Sequence, residues 1–293
     1  MSNYASLSLF VVGALIERPQ AKTKSIILQP TARNDILAKS SQDGDTMILF
    51  LTSHIGGSIR VDGKRIPSNL ITENQLVDNL KLRWPKDAKV LFIAADPTDT
   101  EKIESYKNAY LYAFPFHGMP IHSYTICDRT NDTSVDHLEQ YDVIILSGGH
   151  VPTQNSFFRD IDLKAKIHSF PGIVIGISAG TMNCAQTVYA HPERDGEAID
   201  PQYQRFLSGL GLTKIMVLPH YQMIKDDVLD GLRCFEDIAY PDSIGREFYA
   251  LCDGSYILSE NGTETLYGEA YLIKEGRLEK ICETNQSLVL KKR

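Results

Sequence analysis

The sequence predicts an α/β fold: a doubly wound, mostly parallel sheet with helices on both faces and a small C-terminal antiparallel extension. Three observations carry that expectation. Short continuous apolar runs recur along the chain, as in strands buried on both faces of a parallel sheet. Helix-compatible stretches lie between them, and strands alternating with helices imply right-handed crossovers. After about Phe248 the runs shorten and alternate with Asn261-Gly262 and Glu275-Gly276, which are hairpin signals.

Residues 1–45 hold two apolar runs, Leu7–Ile16 and Ser25–Leu28, and end in the polar stretch Ser40–Asp45. They read as an N-terminal extension, either an extra strand pair or a loosely held segment. From Thr46 the pattern becomes regular. Met47–Leu51, Val90–Ala95, Val143–Leu146 and Ile173–Ile177 read as the parallel strands. Ile71–Arg83, Asp99–Phe114, Val135–Tyr141, Phe157–Phe170 and Thr181–Tyr189 read as helices between and after them. Tyr256–Leu258, Thr265–Tyr267, Ala270–Ile273 and Leu278–Cys282 read as the closing hairpins. No linker divides residues 46–293, so they are expected to form one domain.

The composition, 43% hydrophobic and 23% charged, is that of an ordinary globular chain rather than a disordered one. A formal charge of −7 argues against nucleic acid or an anionic membrane surface as the main partner. A substrate carboxylate would need a local cation, for which Arg194, Arg205 and Arg246 are candidates. The five cysteines include no C-x-x-C pair and read as buried free thiols of a reducing compartment. The apolar run Leu7–Ile16 falls far short of the ~20 residues that span a bilayer. No Lys or Arg precedes it, so the expected location is the cytoplasm. Neither a phosphate-loop or dinucleotide fingerprint nor zinc-ligand spacing is present, and no cofactor or metal is expected.

In a sheet of this kind ligands bind beyond the carboxyl ends of the strands. The residues there are Thr52-Ser53-His54, Asp96-Pro97-Thr98, Ser147-Gly148-Gly149-His150 and Ser178-Ala179-Gly180. Gly176-Ile177-Ser178-Ala179-Gly180 fits G-x-S-x-G between a strand and a helix-compatible run, the setting of a nucleophile elbow. So sharp a turn strains the serine backbone and projects Oγ from the sheet. Glycines two residues either side allow close approach of strand and helix. The N–H of Ala179 points where an oxyanion would form.

A serine nucleophile needs a base, and His220 follows the apolar run Ile215–Pro219 at a strand end. His54 and His150 also lie near strand ends. For the orienting acid, Asp253 follows Tyr249–Cys252, while Asp195, Glu197 and Asp200 are rivals in the loop between nucleophile and base. Gly148-Gly149 is suited to present N–H groups as the second oxyanion donor.

Leu146-Ser147-Gly148-Gly149, Gly176-Ile177-Ser178-Ala179-Gly180, Leu218-Pro219-His220 and Leu251-Cys252-Asp253-Gly254-Ser255 follow one another in the order seen in peptidase E, the aspartyl dipeptidase family that also includes cyanophycinase. The chain resembles that family from about Thr46 to its C-terminus. The resemblance implies a fold like the type-1 glutamine amidotransferases, with serine in place of the cysteine nucleophile. It further implies Ser178 as nucleophile, His220 as base, Asp253 as acid where relatives often carry glutamate, and Gly149 and Ala179 as oxyanion donors. Three departures bear on the substrate: His150 stands where the family commonly has asparagine, Thr181-Met182-Asn183 after the elbow departs from the peptidase E pattern, and the His191–Asp200 loop is distinctive. That places His150, Arg194 and Glu197 among the candidate substrate contacts.

The expected activity is serine hydrolysis of a small peptide or isopeptide-like amide, with an acidic residue beside the scissile bond as one option. Two other readings stand beside it. An α/β-hydrolase esterase runs nucleophile, acid, histidine, which would need Asp200 as the acid. A non-catalytic binding protein would keep the fold without turnover.

Overall fold

The computed structural model describes residues 47–292. The extension expected at residues 1–45 lies outside the described residues. Within them an eight-stranded sheet runs in the order Ser287–Lys292, Thr263–Tyr267, Tyr256–Glu260, Ile48–Thr52, Ile173–Ile177, Val143–Leu146, Ala88–Ile93, Ile121–Cys127. The last five are parallel to one another and the first three antiparallel.

The unbroken apolar runs make sense in this position because alternate residues serve two cores. Leu49, Leu51, Leu91, Ile93, Ile144, Leu146 and Val174 face one side, with Val135, Phe157, Phe158 and Leu163 from the helices over it. Phe50, Val90, Phe92, Val143, Ile145, Ile173 and Ile175 face the other, against Leu76, Leu80, Tyr110 and Phe114. The fold is therefore α/β and doubly wound.

Several boundaries differ from the sequence reading for local reasons. The Phe157–Phe170 stretch is two helices, Val151–Asp160 and Leu163–Ile167, broken at Asp162, whose φ is 49°. The run after the elbow is helical only over Ala179–Asn183. It turns into the strand Thr187–Tyr189, paired with Phe206–Ser208. The edge strand Ile121–Cys127 escaped notice because its His122-Ser123-Tyr124-Thr125 centre is too polar to register as an apolar run.

The C-terminal antiparallel strands divide between two sheets. Tyr256–Glu260, Thr263–Tyr267 and Ser287–Lys292 extend the large sheet. Ala270–Lys274 and Arg277–Cys282 belong to a second sheet, in the order Met216–Leu218, Glu247–Leu251, Ala270–Lys274, Arg277–Cys282. Its first two strands are parallel, so both exit at the same end. Among the described residues no helix is long and apolar enough to cross a membrane.

Candidate active site

Ser178 leaves the Ile173–Ile177 strand with φ 52° and ψ −112°. Such angles cost a non-glycine residue on the order of 1–3 kcal/mol and persist only where the surroundings impose them. Here they do. The Ser178 N–H donates to Thr52 O at 3.1 Å, and Thr181 Oγ1 donates to the same carbonyl at 2.7 Å. A β-carbon on Gly180 would lie 2.2 Å from Leu146 O, and one on Gly176 would lie 2.8 Å from Thr181 Cα. Both glycines are thus fixed by contact between helix and strand backbones.

His220 and Asp253 do not come from the large sheet. His220 follows Met216–Leu218 and Asp253 follows Glu247–Leu251, the two parallel strands of the second sheet. His220 Nε2 lies 2.9 Å from Ser178 Oγ, and His220 Nδ1 lies 2.7 Å from Asp253 Oδ1. An ionised carboxylate only accepts, so Nδ1 carries the proton and Nε2 is left to accept from the serine hydroxyl. Burial pushes the Asp253 carboxyl upward, but the His220 and Ser53 hydrogen bonds together hold it below the ordinary value.

Asp200 is exposed in a turn, where it accepts from the Gln202 N–H at 2.8 Å. Asp195 is exposed as well. Glu197 accepts from the Glu193 and Arg194 N–H groups at 2.9 and 3.1 Å and pairs with His150 Nε2 at 2.8 Å. The carboxylate that reaches His220 is therefore Asp253.

A cleft of about 450 Å³ opens beside Ser178 and His220. Its walls include Met182, Leu218, Ile224 and Leu229, with the carboxylates of Glu193 and Asp227. Glu193 is exposed, yet partial desolvation of its carboxyl at the cleft wall and the neighbouring Glu197 raise its pKa to about 7. The expected substrate contacts His150, Arg194 and Glu197 are not among the lining residues. His150 and Glu197 are occupied with each other, and His150 Nδ1 also meets Thr153 Oγ1 at 2.8 Å, so the pair braces the loop. Arg194 is exposed. Arg205 is paired with Asp242 at 2.8 Å, and the Arg246 guanidinium lies 4.1 Å over the Phe206 ring.

Ala179 follows Ser178 in the chain, and a β-carbon on Gly148, the residue before Gly149, would lie 3.4 Å from Ser178 Cβ. Among the described residues neither the Gly149 nor the Ala179 N–H donates to another backbone carbonyl in a turn or loop. The reason for glycine at 149 is close approach: a β-carbon there would stand 2.5 Å from Ala95 Cβ, while its φ lies outside the left-handed region. Among the described residues no group of three or more His, Cys, Asp or Glu is arranged to hold a metal ion.

The sequence reading gave no role to Ser53 or Gln222 and placed His54 only near a strand end. Ser53 Oγ donates to Asp253 Oδ1 at 2.8 Å, and Gln222 Oε1 accepts from the Asp253 N–H at 3.0 Å. The His54 ring centroid is 6.3 Å from that of His220. The one signal for Ser53 and His54 was their place at the carboxyl end of the first strand.

The fold is shared with a solved structure. A peptidase from an acI-B1 actinobacterium aligns with a TM-score of 0.59 at 13% identity, over 84% of this chain and 98% of that one. A Listeria monocytogenes EGD-e protein solved as a candidate peptidase E aligns with a TM-score of 0.48 at 16% identity, over 80% of this chain and 99% of that one. Among curated proteins none matches in sequence. The model of peptidase family S51 matches residues 67–266, a span that includes Ser178, His220 and Asp253 and exceeds half the chain. The chain belongs to peptidase family S51 and is a serine-type peptidase.

Proposed function

We propose that this chain cleaves a small peptide or isopeptide-like amide through a Ser178–His220–Asp253 triad and an acyl-enzyme. The observation that carries the reading is the continuous hydrogen-bond path, 2.9 Å from serine to imidazole and 2.7 Å from imidazole to carboxylate. Ser178 Oγ attacks the carbonyl carbon while its proton passes to His220 Nε2. Asp253 holds the ring and stabilises the imidazolium. The developing oxyanion is met by the Ala179 and Gly149 N–H groups. His220 then gives its proton to the departing amine, and water, deprotonated by the same nitrogen, releases the acyl group and restores Ser178.

The catalytic unit in this reading is residues 46–293, within which the family match lies. The cleft walls bear on the substrate. They present apolar side chains and two carboxylates, with no Lys or Arg among the lining residues. An acidic residue beside the scissile bond would therefore need a cation from outside those walls, and Arg194 is the exposed one on the adjoining loop. An apolar or cationic residue fits the walls as they stand. A cytoplasmic, reducing setting belongs to the same reading, supported by five cysteines that are all free thiols.

The test is labelling with a fluorophosphonate probe, followed by a dipeptide and isopeptide library read by mass spectrometry. The expected result is one phosphonylated residue, Ser178, and no label in Ser178→Ala at an unchanged melting temperature. A wild-type protein left unlabelled, or one labelled elsewhere, would refute the reading and favour a binding protein.

A further inference from the structure

Thr52 and Ser53 sit where the two sheets meet. The Thr52 carbonyl holds the elbow through the Ser178 N–H and the Thr181 hydroxyl, and Thr52 Oγ1 donates to Gly176 O at 2.6 Å. One residue on, the Ser53 hydroxyl turns to the other half of the site. It donates to Asp253 Oδ1 at 2.8 Å and accepts from the His220 N–H at 2.8 Å. Asp253 Oδ1 is also the oxygen bonded to His220 Nδ1. Serine, histidine backbone, imidazole and carboxylate thus close a ring.

The ring has a specific task. His220 has φ 60° and ψ 32°, a left-handed conformation that residues other than glycine hold only when surroundings over-determine it. The Ser53 oxygen fixes the N–H of that strained residue, and the Ser53 proton fixes the carboxylate its ring must meet. Ser53 is fully buried, so water cannot replace either bond. Its single hydrogen and one of its lone pairs are both committed. The adjoining main chain is tied as well, through the Ser53 N–H to Ser255 O at 3.1 Å and the Gly254 N–H to His54 O at 3.0 Å.

We infer that Ser53 is a positioning residue of the triad, registering the base and acid of the small sheet against the nucleophile of the large one. The inference rests on the proposed triad and adds a fourth member that acts only through His220 and Asp253. Its removal lowers the rate of acylation and leaves ground-state binding nearly unchanged.

The experiment measures kcat, KM and single-turnover phosphonylation of Ser178 for wild type, Ser53→Ala, Ser53→Cys and Asp253→Asn, with Ser53→Ala also made in the Asp253→Asn background. Ser53→Cys keeps the site filled, with a slightly larger atom that is only a weak donor and acceptor, so it serves if the alanine variant folds poorly. The expected loss in kcat is roughly ten- to hundredfold, the scale of a hydrogen bond to a charged group, with KM within about twofold. In the Asp253→Asn background Ser53→Ala should cost less than about threefold, because groups acting as a unit are non-additive. Folded Ser53 variants that turn over within about threefold of wild type would overturn the inference. So would an equal factor in both backgrounds, which marks a role independent of Asp253. Failure of the wild-type protein to label at Ser178 overturns the triad itself and this inference with it.

Discussion

Ser178 belongs to five contiguous residues on the large sheet, whereas His220 and Asp253 stand 33 positions apart on a separate one. The elbow is built by local strain and close contact: a serine at φ 52° between two glycines that touch backbone. The base and acid of the proposed triad are built by pairing. Met216–Leu218 and Glu247–Leu251 run parallel, so their exits deliver an imidazole and a carboxylate side by side. A nucleophile made locally depends on its turn, while a base and acid assembled from distant strands depend on what ties the two sheets together. The two halves should therefore fail differently when altered.

The largest expected effects test whether the halves work as one. Ser178→Ala and His220→Ala should each lower kcat by ~10⁴-fold or more, and the double variant should be no worse than either single one. Losses that multiply would mean that two independent functions had been removed. Asp253→Asn should follow at about 10³- to 10⁴-fold, because the amide can donate to Nδ1 and hold the wrong tautomer. Asp200→Asn should change kcat by less than about threefold, since Asp200 is exposed and caps only its own turn. The reverse ranking would transfer the acid to Asp200 and restore the esterase order of residues.

The same contrast explains what the sequence revealed. The elbow was legible because its whole mechanism lies in Gly176–Gly180 and the apolar strand before it. His220 and Asp253 could be ranked by their places after apolar runs. Their sheet could not be foreseen, because three-residue strands such as Met216–Leu218 carry no topological signal of their own. Asp253 and Asp200 stayed rivals for the same reason: only strand pairing distinguishes a carboxylate at the base from one in a turn. The His191–Asp200 loop read as a source of substrate contacts, yet the Glu197 carboxylate is spent on bracing, through His150 and the backbone N–H groups of Glu193 and Arg194. Ser53 was invisible as a functional group, since nothing in a lone serine after a strand reports a partner 167 or 200 residues away.

Stability sharpens the comparison at a smaller scale. Gly149→Ala would set a β-carbon 2.5 Å from the Ala95 side chain, and overpacking of this kind typically costs ~1–3 kcal/mol. Gly180→Ala should lower the melting temperature further, because its obstacle is the Leu146 backbone oxygen at 2.2 Å, which cannot rotate aside. Adding Ala95→Gly should restore the stability of Gly149→Ala and leave Gly180→Ala unhelped. If the rescued protein is stable but still acylates slowly, the residual loss belongs to the oxyanion donor at 149. If it acylates at the wild-type rate, Gly149 serves packing and the second donor lies elsewhere.

The smallest expected effect concerns Glu193, on the cleft wall between the two halves. Partial desolvation at the cleft wall, with Glu197 beside it, raises the pKa of this exposed residue from 4.5 to about 7, and the Val151 N–H, His220 and Arg194 offset only part of that rise. A raised carboxyl pKa means that the folded chain binds more protons than the unfolded one between about pH 4.5 and 7. The contribution of Glu193 to stability is therefore fully present below the lower value and is lost as pH rises through the upper one. Glu193→Gln stays neutral throughout, so its melting temperature relative to wild type should climb between pH 5 and pH 8. Thermal scans of the two proteins in matched buffers, at one-unit steps of pH, provide the measurement. A difference that stays flat across the window, or falls, would show that the Glu193 carboxyl titrates as an ordinary solvated group. A climbing difference would identify the cleft wall as carrying one negative charge fewer at pH 5 than at pH 8. A cationic substrate residue should then bind more tightly at the higher pH, and the KM of such a substrate should lose that dependence in Glu193→Gln.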